Sequence, residues 1–147
     1  RGELVRSCPR ACASAAAAGQ LGRQQQLLRQ LGDALAGFVD ALKDHKLLDR
    51  VLILAFSEFG RRVEENASGG TDHGEAGPVL LLGSQLKPGL VGDAPDLANL
   101  NRGDVPHKCE FRQIYGGILR DWMKVPPKQV DAVLGGGYGR ALRLVKS

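Results

Sequence analysis

The sequence predicts an α/β fold with a mainly parallel sheet, and three observations lead there. Val51 to Phe56 is an unbroken apolar run of strand length, as expected of a strand buried on both faces. A segment of helically spaced leucines precedes it. Acidic, basic and imidazole residues gather just after its carboxyl end, in Ser57-Glu58-Phe59-Gly60-Arg61-Arg62 and Gly69-Gly70-Thr71-Asp72-His73-Gly74, which is where open α/β proteins present a site.

Residues 1–20 are low in complexity, with Ala11, Ala13 and Ala15 to Ala18 around Ser14, and carry no period. They read as an atypical segment ahead of one domain spanning 21–147. From Leu28, apolar residues fall at Leu28, Leu31, Leu35, Phe38 and Leu42, steps of three and four that draw one stripe along a helix. That stripe is expected to cover one face of the sheet. Gly32 and Gly37 interrupt it at up to about 1 kcal/mol each, so packing rather than propensity must hold this helix. Lys43 to Lys46 end it in a charged turn.

Pro78 introduces a second strand, Val79 to Leu82, which Gly83 closes. Residues 84–107, rich in Gly, Pro, Asp and Asn, form a long irregular connection. Phe111, Ile114, Tyr115, Ile118, Leu119 and Trp122 mark a second helix with a core-facing stripe, stopped by Pro126-Pro127. A short Val130 to Leu134 segment and the turn Gly135-Gly136-Gly137 follow; the glycines lack the Lys-Ser/Thr continuation of a phosphate loop. Two strands do not close an independent sheet, so the chain is expected to be a fragment.

Composition excludes several classes. The formal net charge of +4 is spread over Arg1, Arg6, Arg10, Arg23 and Arg29, the pair Arg61-Arg62, and Arg140, Arg143 and Lys146. A nucleic-acid reader would gather it on one face among aromatic side chains, so no nucleic-acid partner is expected. No apolar stretch approaches the roughly 20 residues of a membrane span. Cys8, Cys12 and Cys109 lack the paired spacing of a zinc knuckle or a disulfide framework.

Three stretches carry a family likeness: Phe56-Ser57-Glu58-Phe59-Gly60-Arg61-Arg62-Val63, then Gly69 to Gly74, then Val79-Leu80-Leu81-Leu82-Gly83. Glu110-Phe111-Arg112 and Val133-Leu134-Gly135-Gly136 support them. From about Leu27 to about Leu134 the chain resembles the C-terminal part of the bacterial domain of unknown function 1501 family, which is sulfatase-like and belongs to the alkaline phosphatase superfamily. The resemblance implies the C-terminal part of an alkaline phosphatase-like three-layer α/β/α sandwich. It also implies a metal-dependent hydrolase of phosphate or sulfate esters, with the nucleophile, further acidic ligands and remaining strands in an N-terminal part of the same domain. Relatives are often exported by the twin-arginine route, which implies an extracytoplasmic home; Arg61-Arg62 is not that signal, being internal with no apolar segment behind it. The Trp-Asp-x-His motif of the family upstream of the first helix has no counterpart here. A natural truncation, a divergent linker and an upstream change of reading frame each account for that.

Glu58 stands where the resemblance implies an acidic metal ligand. Its plain reading is a helix-start acid paired with Arg61 or Arg62 on the surface, worth about 0 to 1 kcal/mol. Relatives follow that acid with a ligating His, whereas this chain has Phe59. Asp72-His73 matches the superfamily in two ways: His73 as a lone ligand before the next strand, which we favour, or Asp72 and His73 together as the ligand pair. The plain alternative is a surface turn in which Asp72 caps neighbouring amides. A carboxylate and a neutral imidazole suit zinc or manganese better than magnesium or calcium.

Arg61 is the candidate for holding a phosphate or sulfate group, because a guanidinium matches tetrahedral oxyanions bidentately. His107 is a weaker candidate, and His45 is expected to be exposed. Ser57 has no evident base beside it to make it a nucleophile. The chain therefore reads as part of a metal-dependent ester hydrolase, inactive by itself; the other class, favoured by Phe59, is a non-catalytic exported binding or structural protein. Both the metal and the substrate readings require Glu58 and His73 to converge at one end of the sheet.

Overall fold

The computed structural model describes residues 20–138 and 142–146; the expectations for the N-terminal segment, including Cys8 and Cys12, lie outside them. The first helix, α1 (Gln20–Asp44), begins ahead of its leucine stripe because its start is pinned. The Gln20 amide donates to the Gly69 carbonyl at 3.0 Å, and the Thr71 hydroxyl donates to the Gln20 side chain at 2.7 Å. At the far end the Leu47 and Lys46 amides donate to the carbonyls of Leu42 and Lys43, around Lys46 at a φ of 55°. That pattern satisfies carbonyls left open by the last turn.

Between these ends the stripe is uncovered. Leu28, Leu31 and Phe38 are 57%, 41% and 39% exposed, and Leu42 alone is buried. The expectation that α1 covers a sheet face is corrected, and the physical reason is width: the candidate sheet is two strands, too narrow to seat a 25-residue helix.

β1 (Ile53–Ala55) pairs with β4 (Leu80–Leu82), Ile53 opposite Leu82 and Ala55 opposite Leu80. β2 (Gly60–Glu65) and β3 (Thr71–Gly74) form a separate two-stranded hairpin. Both pairings are antiparallel, so the mainly parallel sheet expected from the apolar runs is corrected. Parallel neighbours need a crossover connection, usually a helix. Here the chain between β1 and β4 is spent on the hairpin, which returns it in the reverse direction. The mixed α/β character stands.

The C-terminal half differs from expectation in two places. The second helix is α only over α2 (Phe111–Gly117) and widens to a π-helical turn over Ile118–Trp122. Pro126-Pro127 then starts a helix as well as ending one. Pro127 takes the first position of α3 (Pro127–Leu134), where a missing N–H costs nothing, and Gly135, at φ 89°, closes it in the left-handed conformation.

Residues 142–146 lie against the chain after β4. Lys87 donates to the Leu144 carbonyl at 2.9 Å and Lys146 to the Gln85 carbonyl at 2.8 Å. Val130, Leu144 and Leu42 are the buried apolar side chains among the described residues. The Tyr115, Ile118, Leu119 and Trp122 stripe faces Leu52 and Leu54 across an apolar groove of about 360 Å³. No helix among the described residues is long and apolar enough to cross a membrane.

Candidate functional site

The β2–β3 hairpin carries the residues singled out by sequence. Asp72 and His73 were expected in a glycine-rich loop and are instead in β3. The loop proper is residues 66–70, and its cap is Asn66 rather than Asp72: the Asn66 side-chain oxygen accepts from the amides of Ser68 and Gly70 at 3.0 and 3.1 Å. Gly69, at a φ of 69°, makes the reversal.

Register decides which side chains meet. Gly60 is opposite Gly74 and Arg61 opposite His73; Glu65 is opposite Thr71, with an irregularity between them. Directly opposed residues share a face, and successive residues alternate. Arg61 and His73 therefore project together, with Phe59 two residues earlier on the same side. The Phe59 and His73 rings stack at 3.6 Å between centroids and 13° between planes, and the Arg61 guanidinium carbon lies 5.3 Å from the Phe59 centroid. Such stacking adds about 0.5 to 1.5 kcal/mol beyond burial. The departure from the family pattern noted at Phe59 thus has a structural consequence: its ring occupies a face of the His73 imidazole.

Arg61 is half-buried and donates through Nη1 to the Thr71 carbonyl at 2.8 Å. It lines, with Gln20, Gln24, Ser57 and Glu58, a cleft of about 810 Å³. Glu58 is exposed at its rim. The plain reading of Glu58 as a helix-start acid is corrected, since the residues after it form a strand: Arg61 and Arg62 are held extended by pairing with β3.

Asp72 projects opposite to His73 and accepts a 2.9 Å hydrogen bond from the Asn66 side chain. Arg62, on that other face, donates to the Arg102 carbonyl and stands 3.9 Å from Asp104. These contacts tie the long 84–107 connection to the back of the hairpin. His107 reaches the hairpin too, and its Nδ1 contacts the Glu75 carboxylate. Glu75 follows His73 by two residues and was missed by sequence reasoning; its partner is 32 positions away, so no local spacing marks it. His45 is exposed, as expected.

A divalent metal needs at least three such donors converging on one point. Among the described residues no three His, Cys, Asp or Glu side chains gather as a group able to hold an ion. Asp72 and His73 are neighbours in β3 and face apart. The described donors do not make a closed site.

A second hydrogen-bonded cluster lies elsewhere and is structural. Glu110 accepts from the Tyr138 hydroxyl and from Arg112 Nε, and forms a reciprocal capping box with Gln113 at the start of α2. The Tyr138 hydroxyl, followed by Arg112, holds the Glu110 carboxyl below its ordinary range, and the carboxylate in turn raises the Tyr138 phenol. Burial raises the Cys109 thiol.

The two signs set a window. A carboxyl depressed by folding stabilises the fold above its unfolded value and loses that contribution as pH falls through the folded value. A phenol raised by folding contributes below its unfolded value and loses that as pH rises through the folded one. Denaturation midpoints measured against pH are therefore expected to fall on both the acid and the alkaline side, and Glu110→Gln is expected to flatten both limbs. Unchanged limbs in that variant would show that the cluster does not set them.

Comparison with known proteins gives one match. The family described as Protein of unknown function (DUF1501) matches residues 18–123, which takes in α1, both strand pairs, α2 and the π-helical turn. No curated protein and no solved structure matches the chain. The matched residues include both the strand-end and the hairpin motifs and make up most of the sequence; this chain belongs to the DUF1501 family.

Proposed function

We propose that this chain is the anion-binding part of a sulfatase-like domain of the alkaline phosphatase superfamily that acts on phosphate or sulfate esters. The observation that supports it best is Arg61, half-buried at the cleft, with one recorded hydrogen bond to the Thr71 carbonyl. A guanidinium has five N–H donors, so others are left for a tetrahedral oxyanion. Phe59 and the bond to Thr71 fix its direction. Glu58 and His73 are the two donors this chain would offer to a zinc or manganese ion. The rest of the ligand set and the nucleophile come from outside the described residues, so the chain alone does not turn over esters.

The second reading, a non-catalytic binding protein with the same anion preference, is favoured by the Phe59–His73 stack. The phenyl ring stands where the resemblance implies a ligating His, so one donor of that pattern is replaced by packing.

Titration of inorganic phosphate and sulfate, followed by backbone amide shifts, tests the shared claim. Shifts are expected at residues 58–61 and 71–73. Arg61→Ala is expected to weaken binding about tenfold or more, as befits loss of a charge-assisted hydrogen bond. Shifts that map elsewhere, or binding indifferent to Arg61→Ala, would refute it. Aryl phosphate and aryl sulfate hydrolysis with added zinc or manganese, by a polypeptide that also carries the rest of the domain, then separates enzyme from binder.

A further inference from the structure

We infer that the ester taken at this cleft carries one anionic group on a flat, uncharged aromatic ring, and that Phe56 selects the ring. The inference rests on the anion-binding reading and adds the body of the ligand to it. At about 810 Å³ the cleft has the size of a small-molecule site, roughly 300 to 1,000 Å³, and holds far more than one oxyanion.

Its lining limits the charge. Among the described residues around the cleft, Arg61 is the cation and Glu58 the anion. Arg62 turns to the other face of the hairpin, toward the Arg102 carbonyl. One guanidinium near one carboxylate suits a single charged group, and a second phosphate would be repelled by Glu58.

The rest of the wall favours an aromatic body. Phe56 is 61% exposed, and Pro78 is exposed on the same cleft. Phe59 is committed to His73, whereas Phe56 stacks on no ring among the described residues, which leaves its face for a ligand. Gln20 is engaged at both ends of its amide, accepting from the Thr71 hydroxyl and donating to Gln24. A sugar body would need such groups for its hydroxyls; a ring needs only a face to lie on.

Titration of the 147-residue chain with phenyl phosphate, inorganic phosphate, pyrophosphate and glucose 6-phosphate, followed by backbone amide shifts, tests it. Phenyl phosphate is expected to bind about tenfold tighter than inorganic phosphate, with its ring protons shifted upfield. Phenyl sulfate is expected to gain as much over inorganic sulfate, and pyrophosphate and glucose 6-phosphate to gain nothing. Phe56→Ala is expected to bring the ratio of phenyl to inorganic phosphate affinity near one, and Phe56→Tyr to keep it. If Phe56→Ala loses its circular dichroism, magnetisation transfer between the phenyl protons and the Phe56 ring in the unsubstituted protein decides. Three results would overturn the inference while the anion-binding reading stands: inorganic phosphate held through Arg61 with no preference for the phenyl ester, a preference that survives Phe56→Ala, or tighter binding of pyrophosphate or glucose 6-phosphate. No binding of any of these anions would overturn both.

Discussion

Gly60→Ala is expected to destabilise the protein by about 3 kcal/mol, because the obstruction it meets is main chain. A Cβ on Gly60 would stand 1.7 Å from the Ala76 carbonyl oxygen and 2.3 Å from its carbon. A side chain in the way would rotate; a carbonyl in the way moves only if the strand does. Gly60 is buried where the start of β2 crosses residues 76–77, and the added methyl must part them. Phe59 would then come off His73, and Arg61 would lose its direction at the cleft. Urea denaturation reads the loss, and the ring-current shift of the His73 protons reads the displaced stack. Gly32→Ala is the control: it lies in α1 with nothing within 4 Å of its added Cβ, and should gain up to about 1 kcal/mol from helix propensity alone. A neutral Gly60→Ala would show that the two segments are not in contact in solution.

Val130→Ala has the second largest expected effect. Val130 is fully buried, and only Leu42 and Leu144 join it as buried apolar side chains among the described residues. Removing two methyl groups there costs about 2 kcal/mol, from lost burial and the cavity left behind. With so few buried side chains, neighbouring groups do not make good the loss. Val133→Ala, three residues on in α3 and 74% exposed, should change stability by less than about 0.5 kcal/mol. Guanidinium denaturation of the two variants side by side checks the contrast; equal midpoints would mean that α3 does not dock through Val130.

Local structure followed from local sequence where one kind of residue dominated. α1 contains the leucine stripe that periodicity marked from Leu28, though it begins at Gln20, and β1 occupies Ile53–Ala55 within the apolar run. Pro127 and Gly135 bracket α3 by their own backbone limits, so that helix was open to prediction; reading the proline pair only as a stop missed its second role. The π-helical turn at Ile118–Trp122 has no such signature.

At the candidate site, residue types were legible and directions were not. Asp72 and His73 are neighbours in sequence, and for that reason they were natural partners for one ion. Placed in a strand, neighbours face apart, and the ring that meets His73 comes from Phe59 while Asp72 meets Asn66. Glu75 acquires a role only because His107 arrives beside it from the far end of the long connection.

The amino-acid order by itself determined the leucine stripe of α1, the apolar strand before the motif and the family, since each depends on residues within a few positions of one another. Only the tertiary structure decided that the strands run antiparallel, that the leucine stripe lies uncovered, and that Arg61, Phe59 and His73 share a face. The physical reason is that strand pairing and side-chain direction are set by contacts between segments distant along the chain, and a single step of register reverses which side every residue presents.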